Sequence, residues 1–136
     1  MLTSQCGVPQ GSILGPLLFI IYINDIINCS KILNFISFAD DTTLLYSHKD
    51  YHTLINVVND ELIQLDDWFK ANKLSLNVQK TNHMFFGYKQ VPVISESNKY
   101  NMEKKIVINK TPISLVNEVK YLGVIIDSKF TWKNHI

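Results

Sequence analysis

Asp40 and Asp41 stand side by side in the stretch Phe38-Ala39-Asp40-Asp41-Thr42-Thr43-Leu44-Leu45-Tyr46, between two apolar runs. Adjacent like charges repel, and neighbours on a straight strand point to opposite faces. At the tip of a tight hairpin the pleat is broken, and both carboxylates can converge on one point. Hard divalent cations prefer oxygen ligands, and magnesium takes one or two carboxylates together with substrate phosphates. A bound cation also turns the repulsion into attraction. The pair therefore makes sense as a metal platform, although an isolated Asp-Asp is more often simply a turn. His48, His52, His83 and His135 match no ligand pattern. Cys6 and Cys29 lack CxxC spacing, so neither a zinc site nor a disulfide framework is expected, and a reducing, intracellular compartment fits best.

The elements that must hold the acidic pair can be read from periodicity. Residues 32–39 and 42–47 are β-rich runs joined at Asp40-Asp41, which predicts a hairpin. Asp50 can cap a following helix, and Leu54, Val58, Leu62, Leu65 and Phe69, with Val57 and Trp68, recur at helical spacing to about Ala71. Pro9-Gln10-Gly11-Ser12 reads as a turn. A first helix is expected from about Ser12 or Pro16 to Asn28, because proline is tolerated in a first helical turn. Leu74, Leu76 and Val78 alternate with polar residues, and residues 83–86 resemble another strand. Residues 87–105 are polar and suit a loop or variable insertion. Residues 106–108, 113–116 and 119–126 are expected as final short strands. The class is α+β, with two helices packed on one face of a small antiparallel sheet.

The chain has 136 residues, enough for one domain with a core. Its longest apolar run, residues 13–23, is too short for a membrane span and is expected as a buried core helix. The amino end, MLTSQCGVPQ, lacks a basic n-region and an apolar stretch, so no signal peptide is expected. The net charge of +1 conceals an asymmetry. Residues 1–68 carry Lys31 and Lys49 against eight acids, whereas residues 69–136 carry eleven lysines against Glu96, Glu103, Glu118 and Asp127. An acidic, cation-binding centre beside a phosphate-following surface would have this dipole, and so would a solvated lysine face.

The ordered series Gly7-Val8-Pro9-Gln10-Gly11-Ser12-Ile13-Leu14-Gly15-Pro16-Leu17-Leu18-Phe19, then Phe38-Ala39-Asp40-Asp41, resembles the palm of reverse transcriptases. It is most similar to the branch from retrotransposons without long terminal repeats. The resemblance continues through Trp68-Phe69, Asn72-Lys73-Leu74, Asn77, Lys80-Thr81, Tyr121-Leu122-Gly123-Val124, Asp127 and Trp132. It implies RNA-directed DNA polymerase activity, with an RNA template, a DNA primer, deoxynucleoside triphosphates and no membrane. It also implies Mg2+ or Mn2+ held by Asp40 and Asp41 in a two-metal reaction. Phe38 and Ala39 match positions near the primer end, and Gly7, Pro9, Gln10 and Gly11 match the segment beside the incoming nucleotide and template. Lys80 matches a lysine that can protonate departing pyrophosphate. Tyr121, Leu122, Gly123 and Val124 match the primer grip.

The family's first catalytic aspartate lies upstream of the Pro-Gln-Gly segment, and this chain begins six residues before Gly7. That strand, the fingers and the thumb are therefore expected to lie outside it. Residues 1–87 are expected as a palm fragment, and residues 88–136 as a variable loop and primer-grip-like strands leading toward the thumb. The fragment is expected to be inactive alone. A non-catalytic relic and a nucleic-acid-binding module are the alternative readings.

Overall fold

Asp50 starts the longest element. Its carboxylate accepts a hydrogen bond from the Thr53 amide at 2.7 Å, the N-cap geometry that satisfies an orphan donor of the first turn. In the computed structural model, which describes residues 11–87, 105–132 and 135, helix α2 then runs Tyr51–Ala71. It ends in a Schellman motif: the Leu74 amide donates to the Phe69 carbonyl and the Lys73 amide to the Lys70 carbonyl. Lys73 takes the left-handed position usually given to glycine, with φ +54°. The buried face of α2 is Ile55, Leu62 and Leu65, with Leu54, Val58, Trp68 and Phe69 at its margins. Ile55, only 1% exposed, is the most buried residue of the helix, and Glu61 is also buried.

The core forms where α2 meets two other pieces of chain. Ile23 and Ile26 come from the amino-terminal side, and Ile106, Ile108 and Ile113 come from the carboxy-terminal side. Asn59 fixes the second contact by acting as a strand edge. Its amide nitrogen donates to the Lys105 carbonyl at 3.0 Å, and its side-chain oxygen accepts from the Val107 amide at 2.9 Å. This places β4 (Val107–Ile108) along the helix, paired antiparallel with β5 (Thr111–Pro112). Leu76 and Val78 pack on the core without joining a ladder, so the alternation over residues 74–78 reports burial rather than pairing.

Strands appear as four two-stranded ladders among the described residues. β1 (Asn34–Phe38) pairs antiparallel with β2 (Asp41–Leu45), and β7 (Glu118–Tyr121) pairs antiparallel with β8 (Val124–Asp127). β3 (Asn82–His83) runs parallel to β6 (Ser114–Leu115). The fold is α+β, with two helices and small, mainly antiparallel sheets.

The first helix differs from expectation in two ways. α1 covers Leu14–Ile23, and a 3₁₀ helix, Asn24–Cys29, replaces the continuation to Asn28. It is also not a buried core helix. Leu14, Leu17, Leu18, Ile20 and Ile21 are exposed, and only Ile23 at its end enters the core. A helix apolar all round needs cover on all sides, and the described residues cover one end of it. Among them, no helix is long and apolar enough to cross a membrane.

Candidate active site

The acidic pair is positioned by the β1–β2 ladder. Aromatic and β-branched residues (Phe35, Ile36, Phe38, Thr42, Thr43) favour the extended, pleated backbone. The register pairs Phe38 with Asp41, Ile36 with Thr43 and Phe35 with Leu44. Opposed residues share a face, so Phe35 and Leu44 lie on one face, which packs against the core. Phe38, Ile36 and Asp41 lie on the other, which is exposed. The connecting loop is Ala39-Asp40, one residue earlier than the expected junction at Asp40-Asp41. Ala39 has φ +52°, the left-handed conformation that the first position of a tight hairpin turn demands. Asp40 therefore projects from the turn, and Asp41 is the first residue of β2. Both are exposed, and among the described residues neither carboxylate makes a hydrogen bond or ion pair. Two carboxylates at a hairpin tip, with no cation paired to them among the described residues, have the donor chemistry of a partial ligand set for a hard divalent ion. Among the described residues, no group of three His, Cys, Asp or Glu completes such a set.

Lys80 lies at the end of a turn fixed by Asn77. The Asn77 carbonyl accepts from the Lys80 amide at 3.1 Å and from the Thr81 hydroxyl at 2.9 Å. The Lys80 side chain is exposed, and no hydrogen bond or ion pair joins it to Asp40 or Asp41. Gly11 has φ +86° and open space where a Cβ would stand, so its backbone conformation is what calls for glycine here. Gly7, Pro9 and Gln10 lie outside the described residues.

Tyr121, Leu122, Gly123 and Val124 form one tight turn. Tyr121 pairs with Val124, and the two loop residues, Leu122 and Gly123, have φ +49° and +87°. Positive φ at both central positions is the type I′ hairpin pattern, whose twist matches the flanking strands. The next residues hold a feature that sequence reading missed. The Asp127 carboxylate accepts hydrogen bonds from the backbone amides of Lys129 (3.0 Å), Thr131 (2.8 Å) and Trp132 (3.0 Å) and from the Thr131 hydroxyl (3.1 Å). Donation by the Thr131 amide, reinforced by the other donors, holds this carboxyl below its ordinary range against an opposing desolvation. The legible signal was an Asp ahead of Ser-Lys-Phe-Thr, a pattern that suits an Asx-type turn.

The family profile described as Reverse transcriptase (RNA-dependent DNA polymerase) matches residues 2–126. This chain belongs to the reverse transcriptase family. Its curated relatives include "Probable RNA-directed DNA polymerase from transposon X-element" of Drosophila melanogaster, 28% identical over 96% of this chain and 14% of that protein. "Probable RNA-directed DNA polymerase from transposon BS" of the same fly is 30% identical, over 97% of this chain and 14% of that protein. The RNA-directed DNA polymerase from mobile element jockey of Drosophila funebris is 27% identical over the same shares. This reverse transcriptase chain thus spans about one seventh of the length of these relatives. No solved structure gives a significant match. The chain is thus retrotransposon reverse transcriptase sequence over nearly its whole length.

Proposed function

We propose that the β1–β2 hairpin is the metal-binding tip of an RNA-directed DNA polymerase that extends a DNA primer on an RNA template. The observation that carries this reading is the Asp40-Asp41 pair, whose exposed carboxylates have no partner among the described residues, at a turn whose strands pack on the core through Phe35 and Leu44. Rigid strands behind a charged tip provide the preorganisation that phosphoryl chemistry needs. Asp40 and Asp41 supply oxygen ligands, and Mg2+ or Mn2+ held there would favour the ionised primer 3′-hydroxyl and neutralise pyrophosphate. Phe38, on the same face as Asp41, and Ala39 in the turn lie beside the primer end. Gly7, Pro9, Gln10 and Gly11 border the incoming nucleotide and template. Lys80 offers an ammonium to the leaving phosphate, and the 121–124 turn holds the primer by shape.

In this reading residues 1–87 contribute the catalytic part of the palm and residues 88–136 its variable loop and grip. Among the described residues no third acidic group joins the pair. Primer extension on an RNA template with magnesium and nucleotides tests it. The 136-residue chain alone is expected to give no product, like its double Asp40→Asn, Asp41→Asn variant. A longer protein supplying the preceding palm and fingers is expected to extend primers, and either substitution in it should cost at least about 100-fold, the order of several kcal/mol of charge stabilisation. Extension by the short chain, or full activity in either longer variant, would overturn the assignment of the ligands.

A further inference from the structure

Phe86 and Phe130 are 44 positions apart, yet their rings stack with centroids 4.7 Å apart and planes inclined by 19°. This is not core packing, because the two residues remain 42% and 54% exposed. Trp132, two residues on, is also exposed. The backbone beneath them is held in a conformation that bulky residues rarely adopt: Phe130 has φ +52° and Trp132 φ +61°. Asp127 maintains it through the four hydrogen bonds described above. Phe130 and Trp132 are thus presented by a hydrogen-bonded loop, and Phe86 stacks on the first of them from another part of the chain. Rigid exposed aromatics lose little entropy when a further ring is added.

We propose that Phe86 and Phe130, with Trp132 two residues further along the same loop, form a stacking platform for the unpaired bases of single-stranded nucleic acid on the flank of the β7–β8 hairpin. Base–aromatic stacking tolerates any sequence, because every base has a π-face, and it works together with cations that follow the phosphates. The segment that supplies Phe130 and Trp132 carries such cations. Described residues from 105 onward include Lys105, Lys110, Lys120 and Lys129 against Glu118 and Asp127, and the Asp127 charge is turned inward onto backbone amides. Lys120 on β7 and Lys129 beside Phe130 are both exposed. Phe130 and Trp132 lie beyond the segment matched by the family profile. The proposal rests on the polymerase reading for its choice of a nucleic acid over a protein partner.

The test compares two labelled probes with equal numbers of phosphates, a 12-nucleotide oligothymidylate and a 12-unit abasic strand. The protein is the 136-residue chain carried on a solubility-enhancing fusion partner, with that partner alone as the blank. The chain is expected to bind the base-containing strand at least about fivefold more tightly than the abasic one, the range of one stacked base. Phe130→Leu and Phe86→Leu keep apolar bulk but lose the ring face. Each should bring oligothymidylate binding down toward the abasic level while abasic binding stays constant. Lys120→Ala and Lys129→Ala should weaken both probes together. Equal binding of the two probes by the unaltered chain, which needs no variant to fold, overturns the platform. So does a base preference that survives both Leu substitutions, since the rings would then serve a polypeptide contact. The polymerase reading fails separately, through the Asp40 and Asp41 variants in the longer protein, and that result would leave a measured base preference intact.

Discussion

Single carboxylates in this chain do opposite things according to what donates to them. Asp40 and Asp41 have no donor among the described residues, whereas Asp127 has four and Asp50 accepts from the Thr53 amide. The Thr53 amide holds the Asp50 carboxyl low, and the Thr131 amide does the same for Asp127. A carboxyl with a depressed folded pKa stabilises the fold above its unfolded value, about 3.9, and that contribution is lost as pH falls through the folded value. Acidification below about pH 4 is therefore expected to loosen the 128–132 loop and the first turn of α2. Amide exchange of Thr53, Thr131 and Trp132 followed by NMR checks this, and protection that stays flat down to pH 2 would contradict it. Asn59 makes two bonds that dock β4 on α2. Asn59→Ala should lower protection of the Val107 amide by up to roughly tenfold, since a net hydrogen bond is worth about 0.5–1.5 kcal/mol. Unchanged exchange would show that the core alone holds β4.

At the scale of elements, several left-handed backbone positions are occupied by residues with side chains. Lys73 closes the Schellman motif of α2 at φ +54°, and Leu122 opens the β7–β8 turn at φ +49°. Glycine or asparagine carries such conformations with less strain. Lys73→Gly and Leu122→Asn are each expected to stabilise their element by up to about 1 kcal/mol. Gly123→Ala should do the reverse by a similar amount, although space for its methyl group is open. Hydrogen exchange over Tyr51–Ala71 and over the β7–β8 hairpin measures both signs. Destabilisation by Leu122→Asn would mean that the half-exposed leucine has a packing role.

Across the whole molecule, the distribution of apolar surface is uneven. α2, the 3₁₀ helix and the 106–113 segment bury a small core, while α1 exposes most of its length, including Ile20 at 56% and Ile21 at 64%. An apolar patch of that extent marks an interaction surface or an aggregation liability. The isolated chain is therefore expected to bind a hydrophobic dye and to melt over a broad range, or to associate. A soluble monomer with a sharp cooperative transition and no dye binding would refute this.

The sequence by itself determined the local elements. Asp50 with its helical periodicity specified α2, and β-branched and aromatic runs around Asp40-Asp41 specified the hairpin, because capping and pleating depend on near neighbours. The ordered motifs likewise specified the family without coordinates. Periodicity missed Ile55 and Glu61, since which residues a helix buries depends on the chain that reaches it from residues 105–113. An apolar run also reads the same whether covered or bare, so the exposure of α1 was decided only by what packs around it. The one-residue placement of the turn at Ala39-Asp40 and the parallel pairing of β3 with β6 were settled by register, a property of two strands together. The Phe86–Phe130 stack joins positions 44 apart, and only the folded chain, with Asp127 holding the loop, brings those rings face to face.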